Sequence, residues 1–348
     1  MGGSKRQIVV TGASGNVGTA LLRRLAGTAH VTGIARRRPP ATAPYDTAEW
    51  LTLDLSQDDA TDRLLPAMAG ADAVVHLAWQ IQPGRDRAQL RRTNQGGTRA
   101  VVEAAAVAGV SHVIHMSSVG AYSAGPAERT RVDESWPTNG IPSSSYSVDK
   151  AAAERIVAQI SGRVVSVLRP GLILQPDAAS EISRYFIGPF VPVTLLHPSL
   201  LRLAPFPTAL ATQFVHADDV AAAIGIILDQ RAAGAFNVVA EPVLDRDHFR
   251  DLFGGAAPGL PRGVLRSLVD LSWRMRLQPT DAGWIDLAFG SPLLDASRLR
   301  ELGWSPEHTA DETLRRFVDA LRRRAGRPGP LLRPRRLLSH HDTSTASN

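Results

Sequence analysis

An α/β protein built on a doubly wound parallel sheet is the fold class this sequence predicts. Three observations carry it. Short β-branched runs alternate with alanine-rich helical stretches, a glycine-spaced turn joins the first run to the first helical stretch, and after Pro170 the alternation breaks into a proline-rich apolar segment. Strands that alternate with helices pair in parallel and bind ligands beyond their carboxyl ends.

In chain order, the runs of strand character are Ile8–Val10, His30–Ile34, Trp50–Leu53, Ala73–Leu77, His112–Met116 and Val164–Leu168. Helical patterns near residues 17–26, 58–69, 87–108 and 145–160 separate them. Residues 176–212 are apolar without a period and carry Pro189, Pro192, Pro198, Pro205 and Pro207. Strand character returns at Gln213–His216 and Ala235–Val239, followed by an amphipathic stretch near 262–277 and a last helix near 308–323.

The 348 residues suffice for a large core in two lobes, and no stretch of about 20 uninterrupted apolar residues is present to span a membrane. The N-terminus runs through Lys5 and Arg6 straight into a strand, without the pattern of a signal peptide. With no cysteine, disulfides and thiolate metal sites are excluded, and a cytoplasmic enzyme is expected. The pI near 10.4 suggests nucleic acid, but its charge is localised. Residues 322–348 hold seven arginines and one acid, which accounts for the whole net charge of +6. The rest of the chain is neutral, so a solvated, disordered basic tail over 325–348 is expected and no nucleic-acid partner. His76, His115 and His216 have no metal-ligand spacing, and no metal is expected.

Ile8-Val9-Val10-Thr11-Gly12-Ala13-Ser14-Gly15-Asn16-Val17-Gly18 reads as strand, tight turn and helix start. Gly12 permits the turn, Gly15 lets the backbone approach a pyrophosphate, and Gly18 lets helix and strand pack closely. Ser14, Asn16 and Val17 complete the loop, whose free N–H groups and positive dipole end suit phosphate. The fold is therefore of the Rossmann type. The second strand ends Ala35-Arg36-Arg37, where a cofactor with a free ribose 2′-hydroxyl usually meets an acid. Arg36 and Arg37 suit a 2′-phosphate instead, so NADP is favoured over NAD; a solvated basic turn is the competing reading. Asp54 and Leu55, after the third strand, are placed for the adenine, or Asp54 simply caps a helix. The expected division is a dinucleotide-binding domain of residues 1–171 plus about 213–240, and a substrate lobe of 172–212 and 241–324.

Lysine and arginine total 39, and two of these are lysine, Lys5 and Lys150. In a chain that uses arginine this freely, Lys150 suggests a place where a compact ammonium is needed and a planar guanidinium would not fit; an accidental Tyr-x-x-x-Lys in a helix is the competing reading. Tyr146 precedes it by one helical turn, on the same face. Bringing a phenol pKa from about 10 to near 7 takes roughly 4 kcal/mol, which a neighbouring ammonium can supply.

Together with these residues, Val75-His76-Leu77-Ala78, Asn94-x-x-Gly97-Thr98, Ser117-Ser118, Arg169-Pro170-Gly171, Phe214-Val215-His216-x-Asp218-Asp219-Val220 and Leu302-Gly303-Trp304-x-Pro306 resemble the extended branch of the short-chain dehydrogenase/reductase superfamily, across nearly the whole chain. The resemblance implies Tyr146 as acid/base, Lys150 as its modulator and ribose ligand, and Ser118 as the hydroxyl that orients the substrate oxygen. It implies Leu77 and Ala78 over the adenosine, Pro170 beside the nicotinamide, and Asn94 near the cofactor. Trp79, Ser118, Val119, Gly120 and Tyr146 are the expected substrate contacts. Departures point away from nucleotide sugars: Pro170-Gly171-Leu172 lacks an asparagine usual in epimerases, Thr212 stands where they often place arginine, and Ala35 replaces an acid.

The leading expectation is an NADP-dependent oxidoreductase acting on a small, largely apolar carbonyl or secondary alcohol. The apolar run Phe186–Pro207 and Trp79 suit that substrate class, with an ordinary hydrophobic core as the competing reading of the run. An epimerase or dehydratase that recycles its hydride is the alternative, and a non-catalytic nucleotide sensor a third. A homodimer is the candidate assembly.

Overall fold

A computed structural model of the protein describes residues 5–81, 86–182, 211–253, 259, 261–276 and 280–323. Its centre is a sheet of seven strands: β1 (Arg6–Thr11), β2 (Ala29–Ala35), β3 (Ala48–Thr52), β4 (Ala73–His76), β5 (His112–Met116), β6 (Val164–Pro170) and β7 (Gly234–Val238). All pairings are parallel, in the order β7-β6-β5-β4-β1-β2-β3. The order reverses between β1 and β4, which opens a crevice at the carboxyl ends of these strands.

Side chains alternate across the sheet and build a core on each face. Ile8, Val10, Val75, Ile114 and Leu168 join Leu21 and Leu22 of α1 (Asn16–Leu25), and Ile224 and Ile227 of α5 (Ala217–Gln230). Val9, Ile34, Val74 and Val113 face the other way, onto Leu64 and Met68 of α2 (Ala60–Met68) and Val101 and Ala104 of α3 (Gly97–Val107). Helix α4 (Ser145–Val157) packs beside α3.

Two elements differ from the sequence expectation. The helix expected over 87–108 is interrupted by a π-helical turn, Arg92–Gly96, before α3. That turn carries Asn94, whose carboxamide accepts from Gln80 N at 2.8 Å and donates to Gln80 O at 3.1 Å. The local helical geometry thus accommodates a side chain that clamps the loop after β4. The strand at Phe214–His216 does form, but it pairs with Leu172–Leu174 outside the main sheet. Gly171 permits that departure, because a Cβ there would lie 2.5 Å from Gln213 O.

The C-terminal segments contribute α6 (Arg246–Phe253), α7 (Arg262–Arg274), α8 (Ala282–Gly290) and α9 (Ala310–Arg322). Leu174, Phe214, Leu244, Phe249, Leu314 and Phe317 form a third apolar cluster beyond the sheet. Trp304, 2% exposed, donates through Nε1 to Asp219 O, and the Asp219 carboxylate accepts from Glu307 N and His308 N. The tryptophan motif near the C-terminus thus anchors that region to α5. On α7, Val264, Leu268 and Leu271 are exposed, as is Met275 just after it, while Val269 turns inward. The apolar run Phe186–Pro207 and the basic tail 325–348 lie outside the described residues.

Candidate active site

One cavity of about 850 Å³ runs from the ends of β1 and β2 to the C-terminal helices, and it gathers most of the residues singled out from the sequence. Gly12, Ser14, Gly15, Asn16, Val17 and Gly18 line its first part, with Arg36, Arg37, Asp54, Leu55, Leu77 and Ala78 around them. Trp79, Ser118, Val119, Gly120, Tyr146, Lys150 and Pro170 line its middle. Asn94 is 3% exposed and does not line the cavity; its place is behind the Gln80 loop.

The glycine loop is a cradle that side chains would fill. Gly12 sits at φ +71°, and a Cβ there would lie 2.7 Å from Ala78 N. Helix α1 begins after Gly15 with no side-chain cap and no acid in its first turn, so its leading N–H groups face the cavity end without a competing anion. These features fit the diphosphate of a dinucleotide. Asn16 has a further task, since Gln175 Nε2 donates to its Oδ1 at 2.7 Å and its Nδ2 donates to Ile173 O at 3.1 Å. That exchange ties the loop to the strand Leu172–Leu174.

Ala35, at the end of β2, is buried, and the exposed Arg36 and Arg37 follow it. Among the described residues neither arginine has an ion-pair partner. Asp54 Oδ1 accepts from Ser56 N and Ser56 Oγ, which fixes the turn after β3 rather than capping α2.

Farther in, Ser118 starts a short turn and its Oγ accepts from Gly120 N at 3.0 Å. Gly120 faces the Tyr146 ring, where a Cβ would stand 2.8 Å from Tyr146 Cε1. Ser147 Oγ accepts from Ile141 N and donates to Gly120 O, which pins the start of α4 against that turn. Tyr146 lies between two indoles, with Trp79 edge-on at 6.1 Å and Trp284 of α8 tilted at 5.2 Å between ring centroids. Lys150, 3% exposed, donates to Met116 O at 2.9 Å, and its Nζ stands 3.6 Å from the centre of the Trp79 ring. This is a cation–π contact in a desolvated setting.

The electrostatics differ from the simple expectation of an ammonium that acidifies a phenol. Burial pushes the Tyr146 phenol up to about 12, with its hydrogen bond to Ser118 pulling the other way. Burial also lowers the Lys150 ammonium to about 7, against the attraction of the Glu154 carboxylate. Desolvation is the larger cause in both groups, because each charged form is worse solvated in the site than in water.

Sequence reading missed two participants around this centre, Trp284 and Glu154. Trp284 comes from a helix more than a hundred residues beyond Tyr146, and no local pattern announces it. Glu154 and Arg169 form a buried bidentate pair, with Nε–Oε1 at 2.9 Å and Nη2–Oε2 at 2.7 Å. The repeat Tyr146, Lys150, Glu154, each one helical turn after the last, was the available signal for Glu154.

A profile of the NAD dependent epimerase/dehydratase family matches residues 8–239, more than half of the chain. The chain belongs to that family. Its cofactor class is NAD(P), and its members are oxidoreductases, epimerases and dehydratases. An uncharacterized protein of Mycobacterium tuberculosis is 28% identical over 327 residues; these cover 92% of this family member but 30% of the mycobacterial protein. A 4-hydroxy-2-methyl-3-oxo-4-farnesyl-3,4-dihydroquinoline-1-oxide ketoreductase of Stigmatella aurantiaca is 31% identical over 173 residues, 48% of this chain and 50% of the ketoreductase. Among solved structures, the terminal R domain of the myxalamid PKS-NRPS pathway superposes with a TM-score of 0.72 at 19% identity, covering 93% of this chain and 92% of that one. UDP-glucose 4-epimerase of Thermus thermophilus, in complex with NAD, gives 0.67 at 21% identity, with 91% and 99% covered. At such identities the likeness is one of fold. Among the described residues of this family member, no helix is long and apolar enough to cross a membrane, and no group of three or more His, Asp or Glu side chains is gathered for a metal.

Proposed function

We propose that this protein is an NADP-dependent oxidoreductase that interconverts an uncharged, largely apolar ketone and its secondary alcohol, with Ser118, Tyr146 and Lys150 as its reacting centre. The observation that carries the substrate class is the charge pattern of the cavity. Among the described lining residues the charged side chains are Arg36, Arg37 and Asp54 at the loop end, Lys150 beside Tyr146, and Glu181. Among the described residues, the wall beyond Tyr146 includes Trp284, Ile285, Leu287, Phe214, Phe249 and Phe317, and none of the described lining residues there is an arginine or lysine that could receive a diphosphate. Thr212 lines the cavity where a nucleotide-sugar enzyme would place a cation. A ketoreductase with a farnesylated substrate in its name is among the relatives, in keeping with an apolar ligand. The loop end of the cavity belongs to the dinucleotide-binding domain proposed for residues 1–171 and about 213–240, and the apolar end to the substrate lobe.

When bound, the nicotinamide supplies or takes the hydride at the carbonyl carbon. The residues of this chain manage the oxygen. Because burial pushes the phenol up to about 12, Tyr146 holds its proton at neutral pH and can give it to the carbonyl oxygen during reduction. Ser118 Oγ accepts from Gly120 N and is hydrogen-bonded to Tyr146, so the two hydroxyls sit side by side where both can hold the same substrate oxygen. Lys150, once protonated, stabilises the phenolate that remains. Trp79 and Trp284 flank the half-buried Tyr146 and hold its ring from two sides. Arg36 and Arg37 favour a 2′-phosphate over a free hydroxyl.

The test is net consumption of NADPH across a panel of apolar ketones, followed by absorbance. Tyr146→Phe is expected to lose about a hundred- to ten-thousandfold in turnover. Lys150→Arg, which keeps the charge but not the shape, should remain folded by circular dichroism and lose on the order of a hundredfold. Full activity in both variants would overturn the assignment. Conversion of a substrate without net NADPH use would favour the epimerase or dehydratase alternative.

A further inference from the structure

We infer that Glu154 is a positioning residue for the reacting centre: its buried carboxylate locks together the three elements that carry Ser118, Tyr146 with Lys150, and Pro170, and its charge holds the Lys150 ammonium in place. The inference rests on the reading of Tyr146 and Lys150 given above.

Glu154 follows Lys150 by one turn of α4 and Tyr146 by two, so all three share one helix face. It is 7% exposed, and its carboxylate accepts three hydrogen bonds. Ser117 Oγ donates to Oε1 at 2.5 Å, and Ser117 is the neighbour of Ser118 at the end of β5. Arg169 donates from Nε and Nη2 at 2.9 and 2.7 Å, and Arg169 is the neighbour of Pro170 at the end of β6. The arginine is held in turn, because its Nη1 donates to Tyr122 Oη at 3.0 Å and to Glu134 O at 2.9 Å. Tyr122 Oη passes the chain on to Asn237 Oδ1 of β7 at 2.7 Å. A single carboxylate therefore fixes the spacing of α4 against two strand ends. Fork-to-fork pairing with a guanidinium leaves little freedom to slide or tilt.

The second role follows from what surrounds Lys150. Tyr146 and Glu154 face it from its own helix, His76 from β4, His115 from β5, and the Trp79 ring from the loop after β4; Arg169 lies on the far side of the Glu154 carboxylate. His76 and His115 are buried and stay neutral near pH 7, so they supply no counter-charge. Among the described groups, Glu154 is the anion that offsets the cost of burying the ammonium.

The scarcity of lysine makes the test direct. Protein labelled with ¹³C at lysine Cε carries two lysines, Lys5 and Lys150, and Lys5→Arg assigns the remaining signal. In the intact protein without added cofactor, Glu154→Gln is expected to move the Lys150 titration midpoint about one pH unit or more lower, the range for removing an opposite charge at close quarters. Glu154→Asp, which retains the charge, should leave that midpoint near wild type. Should Glu154→Gln fail to fold because Arg169 is left buried and unpaired, Glu154→Gln/Arg169→Gln removes both charges, and a smaller shift in the same direction is expected, because the neighbouring guanidinium is lost with the carboxylate. An unchanged Lys150 midpoint in the folded variant overturns the inference. In turnover, a group that must be protonated is lost as pH rises through its pKa, so Glu154→Gln should move the alkaline limb of the pH profile to lower pH. If the Lys150 midpoint moves while neither Glu154→Gln nor Lys150→Arg alters turnover of any ketone that is reduced, the charge coupling of Glu154 to Lys150 stands, but its positioning role and the proposed reacting centre both fail.

Discussion

At the loop end the cavity is walled by backbone, and at the far end by side chains. Around Gly12, Gly15 and Gly18 the ligand surface consists of N–H groups, a helix terminus and the absence of Cβ atoms. Around Trp284, Phe249 and Phe317 it consists of rings carried by three helices, α8, α6 and α9, that are separated in sequence. A backbone site tolerates almost no change and accepts one kind of ligand. A side-chain site can be recut one residue at a time without disturbing the fold, which is how one scaffold serves many substrates.

Substitutions at the two ends should therefore differ in kind. The largest effect is expected from Gly12→Ala, where positive φ and a Cβ only 2.7 Å from Ala78 N both oppose the change. Calorimetric titration should detect no NADPH binding, and retention of wild-type affinity would show that the loop is not the close-fitting cradle described. Next, Arg36→Ala should weaken NADPH about ten- to a hundredfold and leave NADH nearly unchanged, as expected for one lost charge-assisted contact of about 1.5–3 kcal/mol. Equal losses for both cofactors would remove the 2′-phosphate role. The smallest effect is expected from Trp284→Ala, which should raise KM about tenfold for a bulky apolar ketone while the dissociation constant of NADPH stays put. A matching loss of NADPH affinity would erase the distinction between the two ends.

The same contrast explains how much was legible in the sequence. All seven sheet strands lie within a residue or two of the runs read from β-branched content; β7, for instance, starts one residue earlier than expected, at Gly234. The glycine turn and the Tyr146–Lys150 spacing are local patterns, and local patterns survive translation into structure. Trp284 was not legible, because its approach to Tyr146 depends on how α8 docks and not on anything near either residue in the chain. The Phe214–His216 strand was legible as a strand but not as one outside the main sheet, since pairing partners are chosen by the turn at Gly171. The depressed Lys150 ammonium was hidden for a similar reason, because burial is a property of the assembled core.

The order in which the chain emerges from the ribosome meets an obstacle in this topology. Helix α1 comes from residues 16–25, yet the helix that packs on it, α5, comes from residues 217–230. Until that second helix is made, Leu21 and Leu22 have no Ile224 or Ile227 to cover them, and one face of the growing sheet stays open to water. Strand β6 likewise waits for β7, translated later still, to pair its outer edge. A nascent chain of this kind carries an apolar face from the making of α1 until that of α5, and an unpaired β6 edge until β7 is made, the two features that recruit holding chaperones and seed aggregation. Slow closure of long-range parallel contacts, rather than weak final stability, is the step at which expression of this protein should be most sensitive to temperature and crowding by other nascent chains.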